Sequence, residues 1–351
     1  MGIQENKFHF PVERIMAGYY TDKYFLTTQQ ILRKDNRDAK ALMQIFQRKE
    51  AVVCGVEEAV ALLRTCAIHP ERLEIKALSD GDEAAPWETV MTIEGNYADF
   101  AHLETLYLGI LARQTRVATN TRKVVKAAGA KPVLFFGARY DHFSVQEEDG
   151  YAAHVGGANA VSTDANGFYF GQQGVGTVPH SLIVSYGGDT VAAAIAFDRY
   201  MPPEINRLIL VDFDNDCVNT SLAVARVLGK RLWGVRLDTS STLMDKSLEA
   251  EARGLKDPSP LKGVSAELVW KVRRALDAEG YRHVKIIVSS GFDAEKIAAF
   301  EEAGVPVDIY GVGSSLYRGN YDYTADIVML DGKPCAKVGR QYNPNPRLQP
   351  K

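Results

Sequence analysis

VKIIVSSGFDAEKIAAFEEAGVPVDIYGVG, residues 284–313, is the stretch whose reading decides the fold. An apolar, β-branched run ends in Ser289, Ser290 and Gly291. Asp293 then stands where a helix N-cap belongs, Ile297 and Phe300 fall on one helical face, and Gly304 stops the helix. A second β-rich run follows and ends in Gly313 and Ser314. Strand, helix, strand in so few residues implies parallel strands joined by a crossover helix. The rhythm extends outward through LWGVRLD (232–238), RLILVD (207–212) and KPVLFF (131–136). Between these runs the amphipathic pattern is clearest at Leu268, Val269, Val272 and Leu276, with Gly280 as a C-terminal stop. An open doubly wound sheet and a barrel both fit the alternation. Polar or glycine residues close run after run (Arg139, Asp212, Asp238, Ser290 with Gly291, Gly313 with Ser314). Many strand ends offering chemistry on one face favour a barrel.

The expected fold class is α/β: an irregular parallel, TIM-like α/β barrel plus an N-terminal α/β domain completed by the C-terminal tail. Residues 1–115 and 322–351 are assigned to the N-terminal sandwich, and 116–321 to the barrel. Within the former, 37–49 reads as a helix with Leu42, Ile45 and Phe46 on one face. Residues 73–77 and 88–95 read as strands around a turn at Ser79–Asp82, and 101–128 as a long helix, broken at most once, ending near Gly129. The tail DIVMLDGKPCAKVGR reads as two strands around an Asp-Gly turn.

The chain has 351 residues, 46% hydrophobic and 24% charged, which suits two domains with real cores. A net charge of −3 gives no pull toward nucleic acid or an anionic membrane. The four cysteines, Cys54, Cys66, Cys217 and Cys335, form no CxxC pair and read as reduced thiols. The opening MGIQENKFHF has no apolar leader core, and Lys7 stands where a myristoylation signal wants Ser or Thr. A cytoplasmic enzyme is the expectation.

Several segments have residue types suited to chemistry. GVGTVPHSL (174–182) sets Thr177 and His180 three apart, on one side if a helix begins there; a glycine-rich turn with a surface histidine is the alternative. In WGVRLDTS (233–240), Arg236 and Asp238 share one side of a strand, as a structural ion pair or as groups for an anion and for a metal or ribose hydroxyl. Arg139 in FFGARYDHF (135–143) offers a planar fork to a carboxylate or phosphate, or is a surface arginine. In LVDFDNDCVN (210–219), Asp216 suits helix capping and Asp212 a functional role such as magnesium binding. The tandem Gly/Ser loops at 289–297 and 310–317 match neither a P-loop nor a dinucleotide fingerprint, and suit a barrel phosphate site.

Taken in order, these segments resemble the nicotinate phosphoribosyltransferase family. YYTDKYFLTTQQIL (19–32), HLETLYLGILARQTRVAT (102–119), FFGARYDHF, GGANAVSTDANGFYFGQQGVGTVPHSL (156–182), GVRLDTS, SSGFDAEKI, YGVGSSL and PCAKVGR carry the resemblance across nearly the whole chain. It implies a homodimer whose site lies near the subunit interface, acting on nicotinate and 5-phosphoribosyl-1-pyrophosphate, with Mg2+ and with ATP as co-substrate. Tyr24 would stack on nicotinate from across that interface. Arg139, Thr177 and Arg236 would surround the nicotinate carboxylate and the sugar phosphate. His180 would be phosphorylated by ATP, and Asp238 would face ribose or metal. Gly291, Gly313 and Ser314 would hold the 5-phosphate. Ser162 aligns where nicotinamide-specific relatives carry an Asp, which favours the acid as substrate. GVRLDTSST replaces the acidic "RxDSGD" version, removing a carboxylate near Thr239–Ser241. The alternatives are a quinolinate-using relative and a non-catalytic protein that binds phosphoribosyl ligands.

Overall fold

The computed structural model describes residues 7–351, so the MGIQEN start lies outside the described residues. Five strands come first: β1 Lys40–Gln47, β2 Ala51–Val52, β3 Glu74–Ala77, β4 Glu83–Ala84 and β5 Thr89–Asn96. Six follow: β6 Val133–Phe135, β7 Ala160–Val161, β8 Arg207–Leu210, β9 Leu232–Leu237, β10 Lys285–Val288 and β11 Ile309–Val312. The last three are β12 Tyr323–Leu330, β13 Lys333–Pro334 and β14 Gln349–Pro350. The chain divides into two compact units. One comprises the described residues through Arg122, with Tyr151–Gly157 and Arg318–Lys351; the other comprises Lys123–Gly150 and Ala158–Tyr317.

The first unit is built on an antiparallel sheet of order β13-β12-β1-β5-β3-β14. The tail enters it as expected: β12 pairs with β1, and Leu330 pairs with Lys333 across a two-residue turn. Asp331 (φ 46°) and Gly332 (φ 71°) both sit at positive φ, the requirement of a type I′ hairpin and the reason for the Asp-Gly pair. Met43, Ile45, Ile75, Met91 and Ile93 of the sheet pack with Leu62 and Leu63 of helix Val56–Cys66, and with Leu103, Tyr107 and Leu111 of the 101–128 segment. That segment is a 3-10 turn, Ala101–Leu103, followed by a single helix, Glu104–Ala128.

The helix expected over 37–49 is instead strand β1. Leu42, Ile45 and Phe46 do recur at helical spacing, but β1 lies between two strands and is buried on both faces from Met43 to Gln47. A strand buried on both sides loses its alternation, and a short apolar run then reads equally well as helix. The partner strands decide, and β12 lies almost three hundred residues away in sequence.

The second unit carries a parallel sheet of order β7-β6-β11-β10-β9-β8. It is a half-barrel with β7 and β8 at its edges. The crossover helices form where their patterns require. Leu268, Val269, Val272 and Leu276 are buried on helix Ala266–Ala278. Ile297 and Phe300 are buried on helix Ala294–Glu302, whose N-cap Asp293 accepts from the Lys296 N–H at 3.0 Å. Asp216 likewise caps helix Cys217–Leu228. All six parallel strands run the same way, so their C-terminal ends share one face. Among the described residues, no helix is long and apolar enough to cross a membrane.

Candidate active site

The C-terminal ends of the parallel strands enclose a cavity of about 400 Å³ within the second unit. Its walls include Arg139 after β6, Ser162 after β7, Thr177, Arg236 on β9 with Asp238 just after it, Ser289–Phe292 after β10, and Gly311 on β11 with Gly313 and Ser314 after it. Residues singled out in the sequence therefore meet in one place: Arg139, Ser162, Thr177, Arg236, Asp238, Ser290, Gly291, Gly313 and Ser314. His180 and Asp212 form a pair of their own, with His180 Nε2 3.1 Å from Asp212 Oδ1. The helix there starts at His180 with Pro179 as N-cap, so Thr177 precedes it. The two residues do not share a helical face as their spacing allowed. Tyr24 lies on helix Lys23–Lys34 of the first unit, largely exposed, with its ring 4.2 Å from that of Phe25.

Arg236 decides the electrostatics. Its side chain is 16% exposed, and its nearest carboxylate contact is Asp238 Oδ2 at 3.9 Å. Its Nε is buried and has no hydrogen-bond partner. Burial lowers the guanidinium pKa, the negative charges of Asp238 and Asp212 work the other way, and Arg139 adds to the lowering. A buried donor left unpaired costs about 1–3 kcal/mol. Such a group offers a free donor to a ligand that enters the cavity. Among the described residues that line the cavity, Arg139 and Arg236 are the only Lys or Arg and Asp238 the only carboxylate.

Asp212, on the backbone just beyond β8, has an 8% exposed side chain. Burial raises its pKa, the nearby His180 opposes the rise, and Asp238 adds to it. Asp238 is held by Ser289, which the sequence placed only in the Gly/Ser loop: Ser289 donates its hydroxyl to Asp238 Oδ1 at 2.7 Å. Ser289 follows the adjacent strand, and its residue type alone gave no signal of the pairing. Phe136, Tyr140 and Phe292 also line the cavity and were not singled out.

The loop after β10 has the backbone form of an anion-binding turn. Ser290 (φ 71°) and Gly291 (φ 72°) are consecutive left-handed residues. Successive N–H groups in such turns make a concavity for anions, and the helix that Asp293 caps begins three residues on. Gly313 serves a different need. A Cβ there would lie 2.6 Å from the Phe136 carbonyl oxygen and 2.5 Å from the Tyr140 ring. Only glycine lets β11 end against the loop that carries Arg139.

The comparisons agree with this geometry. Residues 22–115 match the family model described as quinolinate phosphoribosyl transferase, N-terminal domain. A nicotinate phosphoribosyltransferase of Mycobacterium tuberculosis is 28% identical over 92% of this chain and 74% of its own length. One from Bacillus subtilis is 25% identical over 93% and 70%. The structure of a nicotinate-nucleotide pyrophosphorylase from Pyrococcus furiosus superposes with a TM-score of 0.80 at 34% identity, covering 95% of this chain and 81% of that one. The chain belongs to the type II phosphoribosyltransferases, the group of nicotinate-, nicotinamide- and quinolinate-using enzymes. Human nicotinic acid phosphoribosyltransferase shares the fold at a TM-score of 0.69 and 20% identity, covering 92% of this chain and 77% of that chain. Within this family, the cavity at the strand ends is the candidate catalytic centre.

Proposed function

We propose that the chain is a nicotinate phosphoribosyltransferase of NAD salvage, forming nicotinate mononucleotide and pyrophosphate from nicotinate and 5-phosphoribosyl-1-pyrophosphate. The observation that carries the proposal is Arg236, a buried guanidinium with an unpartnered Nε, set beside Arg139 in a cavity that ends at a left-handed Ser290–Gly291 turn. Two anionic groups, a ring carboxylate and a sugar phosphate, suit two arginines and an N–H concavity.

In this reading the pyridine nitrogen attacks C1 of the ribose, the new C–N bond forms, and the C1–O bond to pyrophosphate breaks. The nitrogen carries no proton, so no base is needed. The protein's contribution is placement and charge. Arg139, Thr177 and Arg236 hold the carboxylate and the sugar phosphate, and Gly291, Gly313 and Ser314 seat the 5-phosphate. Asp238 faces the ribose, where positive charge builds. Ser162 brings no carboxylate of its own to the ring substituent, which suits an acid over an amide.

Among the described residues, no three His, Cys, Asp or Glu side chains gather into a metal-binding group. Magnesium takes few carboxylates and completes its shell with water and phosphate. Asp212, whose carboxyl is raised by burial and by Asp238, would gain from a cation brought in with pyrophosphate. Asp212 and Asp238 would hold that cation, and it would supply charge neutralisation of the leaving group.

His180, oriented by Asp212, is the proposed acceptor of phosphate from ATP. Incubation with γ-labelled ATP should leave acid-labile label on the protein; label that persists in His180→Ala would exclude this residue. The proposed assembly is a cytoplasmic homodimer in which Tyr24 serves the neighbouring subunit's site.

Quinolinate is the competing substrate, because the matched N-terminal family model bears its name. A second carboxylate would need more cations than Arg139 and Arg236. Product chromatography with nicotinate, nicotinamide and quinolinate offered separately decides the matter. Turnover with quinolinate alone would keep the fold and overturn the substrate.

A further inference from the structure

Arg236 and Asp238 project from the same side of β9, two residues apart, yet they do not close into a hydrogen-bonded pair. Their nearest approach is 3.9 Å, and no other partner occupies the Arg236 Nε. Left alone, a buried guanidinium and a carboxylate at this range gain by closing to a two-bond fork. Ser289, just beyond the neighbouring strand, holds the same carboxylate. β9 and β10 are paired in parallel register, with Leu237 opposite Val288, which brings Ser289 alongside Asp238. The Ser289 hydroxyl is buried and donates to Asp238 Oδ1 at 2.7 Å. The strand ladder also extends one residue further, with the Ser289 N–H bonded to the Leu237 carbonyl at 3.0 Å. That backbone bond fixes where the hydroxyl can reach.

We propose that Ser289 is a positioning residue that keeps Asp238 from closing onto Arg236 and so keeps the Arg236 guanidinium open for a substrate anion. The inference rests on the reading of this cavity as the nicotinate and phosphoribosyl site, and it adds what holds that site open. Without the hydroxyl, Asp238 turns to Arg236, the pair neutralises itself, and an incoming carboxylate or phosphate must displace an internal partner. Ser289 itself touches no reacting atom in this scheme.

The test is a double-mutant cycle on the full chain, read by calorimetric titration with nicotinate and with inorganic phosphate, alongside steady-state kinetics. Ser289→Ala is expected to weaken at least one of the two anions about tenfold, the loss of one charge-assisted bond. The KM of the matching substrate should rise by a similar factor, while kcat stays within about threefold. In the Asp238→Asn background, Ser289→Ala should add less than about twofold, because the amide no longer competes for Arg236. Asp238→Asn alone should bind both probes at least as tightly as the wild type, which keeps the idea testable even if Ser289→Ala does not fold. The proposal is overturned if folded Ser289→Ala binds both anions like the wild type. It is also overturned if its effect persists undiminished in the Asp238→Asn background, or if Asp238→Asn alone weakens both probes. A wild type without turnover would overturn the functional reading, while the binding cycle would still decide the role of Ser289.

Discussion

Replacing Arg236 by Met should make the protein more stable and less able to bind substrate. The guanidinium is 16% exposed, its Nε is buried without a partner, and its closest carboxylate stands at 3.9 Å. Burial depresses its pKa, so the folded state is penalised wherever the group is charged. That penalty is present from acid through neutral pH and is relieved only at far alkaline pH, as the group loses its proton. Methionine fills similar apolar length along the Phe136 ring, which lies 6.0 Å from the guanidinium carbon. Removing one unpaired buried polar group should return about 1–2 kcal/mol. For a unit of this size, that corresponds to a rise in melting temperature of roughly 2–8 °C. Part of this gain is lost because Asp238 and Asp212 lose a nearby positive charge. Substrate affinity moves the other way: losing charge-assisted bonds of about 1.5–3 kcal/mol raises KM by roughly 10- to 150-fold. Differential scanning calorimetry and steady-state kinetics on the same preparation read both changes. A fall of several degrees, with KM unchanged, would falsify the assignment of Arg236 as a ligand group and make it a structural cation.

Three further outcomes follow from other contacts. Glu104 is buried, accepts from the Tyr97 hydroxyl at 2.8 Å, and has its pKa lifted by burial from 4.5 to about 7. The folded state therefore holds a proton that the unfolded chain releases above about pH 4.5, so stability falls as pH rises through the window from 4.5 to 7. Glu104→Gln should remove this slope, gaining on the order of 2–3 kcal/mol over the wild type between pH 5 and pH 8; parallel denaturant titrations at the two pH values would contradict it. Asp245 is fully buried and accepts from the Cys217 N–H (2.8 Å), the Ser247 N–H (2.9 Å) and the Ser247 hydroxyl (2.6 Å). Asp245→Ala orphans these donors where the loop after β9 meets the loop after β8, and urea unfolding should show a loss of about 3–5 kcal/mol. Gly313→Ala sets a Cβ against the Phe136 carbonyl oxygen and the Tyr140 ring. It should cost about 1–3 kcal/mol and displace the Arg139 loop, lowering kcat/KM more than the stability change explains; wild-type kinetics would show that the loop tolerates the shift.

Patterns that are local in the chain were legible in the sequence. The parallel strands and their helices declared themselves because each crossover helix is amphipathic on one side and bounded by an N-cap or a glycine, as at Asp293 and Gly304. The Asp331–Gly332 turn was legible because only a few residue types accept two consecutive positive φ values. The grouping of Arg139, Arg236, Asp238 and the Gly/Ser loops followed from their common place at the ends of parallel strands. Tertiary structure alone decided the rest. It made residues 40–47 a central strand, because the hydrogen-bond partners that favour a strand come from β5 and from β12 in the far tail. It set Thr177 outside the helix that begins at His180. It also set Arg236 3.9 Å from Asp238 with its Nε unpartnered, where the two-residue spacing had left a structural ion pair and a ligand site both open. Asp238 takes a hydroxyl from the residue after the next strand, and no spacing within one strand reports what its neighbour offers.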